Sequence, residues 1–232
     1  MTTCVSNRKT IQYRKPVWAD IAGRFPGDRD CLAAFLAFEA AEVLAGMKPS
    51  TLINLPDRPR RCGKNLYLIW KEHGEGILME SSLEVAVLAN RPGSLLLLLY
   101  DRAALGRLLS KKGVLAILRR VGYPEESGVD ALLSEFGSRF ASGGVPHEIG
   151  IALGYPLKDV AGFMGLGHLT SCCQGPWRIY GNPIKSLDLA ERHRQCRRRM
   201  ALRLMAGSGP YECLGSPAGS AGRKQGLFLT SK

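Results

Sequence analysis

Ser94-Leu95-Leu96-Leu97-Leu98-Leu99-Tyr100-Asp101 is the stretch on which the fold turns. An apolar run this short, bounded by polar residues, has the length of a strand buried on both sides rather than of a helix. It falls far below the roughly 20 residues that a membrane-spanning helix needs. Asp101 then offers an N-cap for a helix over Ala103 to Leu109. A buried strand that passes directly into a capped helix puts sheet and helix in one unit. Upstream, Leu52 to Leu55 reads as extended before the Pro56-Asp57-Arg58-Pro59 turn, and Leu66 to Trp70 and Ile77 to Met79 read as further strands. Leu83 to Ala89 has helical spacing and fits a short helix or a fourth strand. Cys31-Leu32, Phe35-Leu36, Phe38-Glu39 and Val43-Leu44 repeat at helical spacing, with Asp28 or Asp30 as N-cap and Gly46 as stop. Downstream, helices are expected over Val114 to Val121, ending at Gly122-Tyr123-Pro124, and over Val129 to Phe140, which carries Leu132, Leu133, Phe136 and Phe140 on one side. Two short helices over Pro146 to Leu153 and Leu157 to Met164, an extended Trp177 to Tyr180, and a long helix from Ile184 to Ala206 complete the chain. The expected fold is α+β: a small mixed sheet with packed helices and a helical C-terminal module.

The chain has 232 residues, enough for one well-buried domain. Residues 1–27 lack a sustained period and are expected to be a poorly ordered lead-in, 28–206 a single α+β domain, and 207–232, rich in Gly, Ser and Pro, a disordered basic tail. At 45% hydrophobic and 22% charged residues, wholesale disorder is excluded. The polar N-terminus carries no signal-like apolar stretch, so a cytoplasmic location is expected. Seven scattered cysteines fit reduced thiols rather than a secreted disulfide framework. The net charge of +12 is densest at Arg192, Arg194, Arg197, Arg198, Arg199 and Arg203. Such a cluster attracts polyanions, whether nucleic acid, acidic protein or lipid headgroups, without identifying which, and its ordinary reading is a solvated helix face.

The segment from Pro146 onward is the most informative. Proline is tolerated in the first turn of a helix, Glu148 adds negative charge where the helix dipole favours it, Gly154 closes the helix, and Pro156 starts another with Asp159 in its first turn. Pro146-His147-Glu148-Ile149-Gly150, Leu153-Gly154-Tyr155-Pro156, Asp159-Val160, Gly162-Phe163, Trp177-Arg178-Ile179-Tyr180-Gly181 and Cys196-Arg197 together resemble the signature of domain-of-unknown-function family 3793. Leu44-Ala45-Gly46-Met47-Lys48-Pro49 and Gly122-Tyr123-Pro124 extend the resemblance over about residues 30–206. That family consists of uncharacterised bacterial proteins, common in anaerobic Firmicutes. It implies no activity, and at most a loose link to metal or redox metabolism. Pro176 stands where some relatives carry a cysteine, which weakens a four-thiolate site.

Three constellations compete for function. Cys172, Cys173, His193 and Cys196, with His147 or His168 added, offer the thiolates and imidazoles that zinc or iron takes in fours. His193 and Cys196, three apart, share a helix face. Against this, Leu189, His193, Cys196, Met200 and Leu204 also form an ordinary buried stripe. A nucleophilic pair of Cys172 or Cys173 with His147 needs a third group to orient the base, and Glu148 points elsewhere on the helix. In the third, the hairpin from Pro146 places Gly150, Gly154 and Val160 in helix-turn-helix register, yet Leu157 to Gly165 offers only Lys158 for base edges. The glycines at 162, 165 and 167 follow a helix rather than a strand, and Cys62-Gly63-Lys64-Asn65 lacks an upstream glycine, so no phosphate loop is expected. The resulting expectation is a cytoplasmic accessory or binding protein, leaning away from enzyme. The alternatives are a nucleic-acid-binding protein and a thiol-dependent enzyme.

Overall fold

The computed structural model describes residues 16–124 and 128–215. The chain opens with helices α1 (Ala19–Ala22), α2 (Asp28–Glu39) and α3 (Ala41–Leu44). Every residue of α2 from Cys31 to Phe38 is buried, which is what a helix apolar on all sides requires. Strand β1 (Ser50–Pro56) follows, then helix α4 (Leu66–Met79). This helix replaces the two strands expected over Leu66 to Trp70 and Ile77 to Met79. Asn65 caps it, its side chain accepting from the amides of Tyr67 and Leu68 at 3.1 and 3.4 Å. Gly74 mimics a breaker, but it is a packing device: the Trp70 ring lies over it, and a Cβ there would come within 2.6 Å of the indole.

Strands β2 (Glu84–Arg91) and β3 (Ser94–Tyr100) form a hairpin closed by Pro92 and Gly93, and β3 takes the centre of a sheet in the order β1-β3-β2. Both pairings are antiparallel, so the sheet is not mixed. The segment that reads as helix or strand is thus the edge strand β2. Helices α5 (Arg102–Leu109), α6 (Lys112–Arg120), α7 (Val129–Ala141), α8 (Ile149–Ala152) and α9 (Leu157–Phe163) follow. Asp101 caps α5 as expected, accepting from the Ala104 amide at 2.8 Å. A second, two-stranded antiparallel sheet, β4 (Ser171–Gln174) with β5 (Arg178–Tyr180), leads into the long α10 (Ile184–Met205) and then α11 (Pro210–Leu214).

The leucine run makes sense in this arrangement. Leu95, Leu97 and Leu99 enter one core with α2, α4 and the end of α10, whereas Leu98 and Tyr100 enter a second core with α5 to α9. A central strand with helices on both faces has no polar side to show, so the usual in-out alternation disappears.

The folded unit extends beyond 28–206 at both ends. Trp18, Ile21 and Ala22 from the expected lead-in, and Cys213 and Leu214 from the expected tail, are buried in the first core. The helices that carry them are too short to show a period, which is why they read as irregular. Residues 1–15 and 216–232 lie outside the described residues. Among the described residues no helix is long and apolar enough to cross a membrane.

Candidate ligand-binding cleft

Asp159 organises the C-terminal module. It stands in the first turn of α9, is 1% exposed, and receives four hydrogen bonds. Its Oδ2 accepts from Trp177 Nε1 at 2.9 Å and Ser186 Oγ at 2.6 Å, and its Oδ1 from the Tyr180 amide at 2.9 Å and Lys158 Nζ at 2.6 Å. Lys158 Nζ also donates to the Tyr180 carbonyl at 2.5 Å. Burial alone would raise the pKa of this carboxyl, but the four donors outweigh it and hold the group below the usual carboxylate range. One side chain therefore ties α9, β5 and α10 together. Gly162 lets the elements close up, since a Cβ there would lie 2.5 Å from the Tyr180 ring.

A second buried acid fixes the start of α8. Glu148 Oε1 accepts from Tyr123 Oη at 3.0 Å and Arg139 Nη1 at 2.8 Å. Arg139 also donates to Glu135 at 2.7 Å and to the Val121 carbonyl at 2.8 Å, and its guanidinium lies 4.2 Å from the centre of the Tyr123 ring. The Gly122-Tyr123-Pro124 motif and α7 are thereby joined to the hairpin. Glu148 is a buried tether as well as a charge at a helix start. The turn between α8 and α9 is completed by Gly154, whose φ of +74° only glycine adopts readily and whose missing Cβ leaves room for Lys48.

Between these anchors lies a cleft of about 400 Å³. Ile149, Leu153, Val160 and Pro176 supply aliphatic wall, while two aromatic pairs supply ring surface. Tyr155 stacks on Trp177 with centroids 4.6 Å apart and planes at 21°; His147 meets Phe163 edge to face at 4.9 Å and 86°. Val145, His147, Phe163 and Arg178 line the cleft, and all four are exposed to solvent. Asp159 also lines it, but both its oxygens are already engaged.

The expected metal ligands are not brought together. Among the described residues no group of three or more His, Cys, Asp or Glu side chains is placed to hold a metal ion. His147 is at the cleft, Cys172 is exposed on β4, and Cys173 packs against the Trp177 and Ile179 cluster. Cys172 is the extra residue at a register shift between Ser171 and Cys173, where the regular alternation of the strand is interrupted. His193 and Cys196 are both buried in the α10 stripe, as the ordinary core reading has it, with Ala190 rather than Leu189 fully buried ahead of them. The His193 ring lies 6.0 Å from Trp177, and its Nε2 is buried with no hydrogen-bond partner among the described residues. Burial, then the nearby Lys48 ammonium, depress its pKa. Burial pushes the Cys196 thiol up, away from the thiolate that metals and electrophiles require. His168 is exposed, outside the cleft lining.

The arginine cluster is distributed around α10. Arg192 pairs with Asp188 at 3.0 Å, Arg194 with Glu191, and Arg203 with Glu212 at 3.1 Å. Arg197 is half-buried and bridges Glu39 and Glu42, each at 3.2 Å, fastening α10 to α2 and α3. Arg198 and Arg199 are exposed. In the hairpin, Lys158 is committed to Asp159 and Tyr180, and Asp159 and Val160 are buried, so α9 presents no side chain suited to reading base edges.

Sequence reasoning missed Arg178 and Val145 at the cleft, and the acid-base tethers Glu42 to Arg197 and Glu148 to Arg139. A charge inside an otherwise apolar segment, as at Ala40-Ala41-Glu42-Val43, is the signal that marks such a tether. Comparison with curated proteins and with solved structures finds no match. A family model described as "Protein of unknown function (DUF3793)" does match, over residues 36–214, and the chain belongs to that family.

Proposed function

We propose that this protein is a non-catalytic binding protein whose site is the cleft between α8, α9 and β5. The observation that carries the reading is a coincidence of two sets of residues. His147, Gly150, Tyr155, Phe163 and Trp177, read from the sequence as family-signature positions, all line one apolar concavity of about 400 Å³. That size lies within the range of small-ligand sites, as does a lining of aliphatic and aromatic groups with a few polar ones.

The same lining argues for binding rather than chemistry. Its acid, Asp159, spends both oxygens on four donors, and no cysteine, serine or threonine faces the cleft among the described residues. His147 would be a base without a nucleophile. The reading takes the protein as cytoplasmic, in keeping with free thiols at Cys31, Cys62, Cys173, Cys196 and Cys213. Neither a metal nor nucleic acid enters it.

The test is titration with a neutral fluorescent apolar probe, N-phenyl-1-naphthylamine, in wild type and in Val145→Trp. Val145 is 63% exposed at the cleft, so an indole there blocks entry without disturbing the core. Saturable binding in the wild type that is lost in a variant with an unchanged melting temperature is expected. Absent binding, or binding indifferent to the substitution, overturns the reading.

A further inference from the structure

Resting on that reading, we infer that the cleft takes an aromatic carboxylate, with the ring system against the aromatic walls and the anion on Arg178. The walls favour rings over alkyl chains. Trp177 and Tyr155 are already stacked, His147 and Phe163 already meet edge to face, and such surfaces gain from offset stacking and edge contacts with a further ring.

The anion is argued from charge. Arg178 lines the cleft on β5 and is exposed; its Nε donates to Ser171 Oγ at 3.2 Å, which holds the side chain while Nη1 and Nη2 make no hydrogen bond or ion pair among the described residues. Arg102, Arg139, Arg192, Arg194, Arg197 and Arg203 each have a carboxylate partner. The acid that lines the cleft, Asp159, is saturated by Trp177, Ser186, Tyr180 and Lys158 and does not neutralise Arg178. A planar guanidinium with a free edge beside an apolar cavity matches a carboxylate by two parallel hydrogen bonds. The cavity volume accommodates a small ring system rather than a folded partner.

The experiment compares 2-naphthoate, its neutral counterpart 2-naphthylmethanol, and decanoate by calorimetric titration of the wild type, Arg178→Gln and Val145→Trp. Naphthoate should bind about fivefold tighter than naphthylmethanol, the upper end of what an exposed ion pair supplies. The preference should shrink as salt is raised. Arg178→Gln should equalise the two, and Val145→Trp should abolish both. Equal wild-type affinities, a preference that survives Arg178→Gln, or tighter binding of decanoate overturns the inference while leaving the cleft a binding site. Failure of all three ligands and of the neutral probe overturns the underlying reading instead.

Discussion

Replacing Asp159 by asparagine should destabilise the protein by about 3 kcal/mol, and the hydrogen-bond geometry shows why. Each carboxylate oxygen takes two donors: Trp177 Nε1 and Ser186 Oγ on Oδ2, the Tyr180 amide and Lys158 Nζ on Oδ1. An amide keeps one oxygen and turns the other into a donor. Its nitrogen cannot face Tyr180 and Lys158, neither of which can accept, so it must face Ser186, whose hydroxyl can rotate to receive it. The Trp177 indole N–H, on a residue only 7% exposed, is then left without a partner. A buried unsatisfied donor costs about 1–3 kcal/mol, and the bonds that remain lose the reinforcement of a charge. Relief from burying an ion returns part of this. A protein with stability of about 5–15 kcal/mol still folds, so the loss is measurable by guanidinium unfolding followed by circular dichroism. Adding Trp177→Phe removes the orphaned N–H, and should therefore cost at least about 1 kcal/mol less in the Asp159→Asn background than in the wild type. The pH dependence has a definite sign. The folded carboxyl titrates below its ordinary value, so its contribution is complete above about pH 4 and is lost as pH falls toward the folded pKa; the variant lacks that limb. A loss below about 1 kcal/mol, with exchange of the Tyr180 amide unchanged, would refute the assignment of Asp159 as the pin of this module.

Arg139→Met strands Glu148 in the core with Tyr123 as its remaining side-chain donor among the described residues, and should cost about 3 kcal/mol, read as a lowered guanidinium midpoint; adding Glu148→Gln should recover part of it. His193 has its folded pKa depressed by burial and by Lys48, with Arg192 adding to this and Glu42 and the Met47 backbone opposing it. Its stabilising contribution is therefore intact above about pH 6.5 and declines as pH falls below that. Thermal melts between pH 7 and 5 should show this decline in the wild type and a flatter profile in His193→Gln; identical profiles would count against it. Dialysis against a chelator should leave the melting temperature unchanged, because Cys172, Cys173, His193, Cys196 and His147 do not converge; a drop of several degrees would contradict that geometry.

How far the sequence reaches depends on how local each determinant is. The buried central strand, the Asp101 cap and the α10 stripe are legible because each is written in consecutive or helically spaced residues. Helix α4 is not. Leu66-Tyr67-Leu68-Ile69-Trp70 has strand composition, and Gly74 and Gly76 look like breakers, until the Trp70 ring is seen to need the space over Gly74. The edge strand β2 is ambiguous because a register shift between Val87 and Ala89 interrupts its alternation. Trp18 and Leu214 reach the core from opposite ends of the chain, a relation that no local window contains. At the site, the thiols draw attention through their chemistry, whereas the tethering roles of Glu42, Glu148 and Asp159 show only once their partners Arg197, Arg139 and Trp177 are in place.

The signature residues divide into two physical roles, and the division bears on what the cleft is for. Asp159, Gly162, Tyr180, Glu148 and Gly154 are accounted for by hydrogen bonds and close approaches that hold elements together. Folding alone does not account for Phe163, which is 48% exposed with His147 against it, beside an exposed Val145. A ring left half in water returns little of the free energy that burying it would provide. Clustered apolar groups at the rim of a concavity are better explained by something that covers them. Trp177 belongs to both sets: its N–H is spent on Asp159, while its ring stacks on Tyr155 and lines the cleft. The buried carboxylate thus fixes the orientation of one wall of the cleft as well as the junction of three elements, and under the proposed binding function this gives the cleft a preorganised shape.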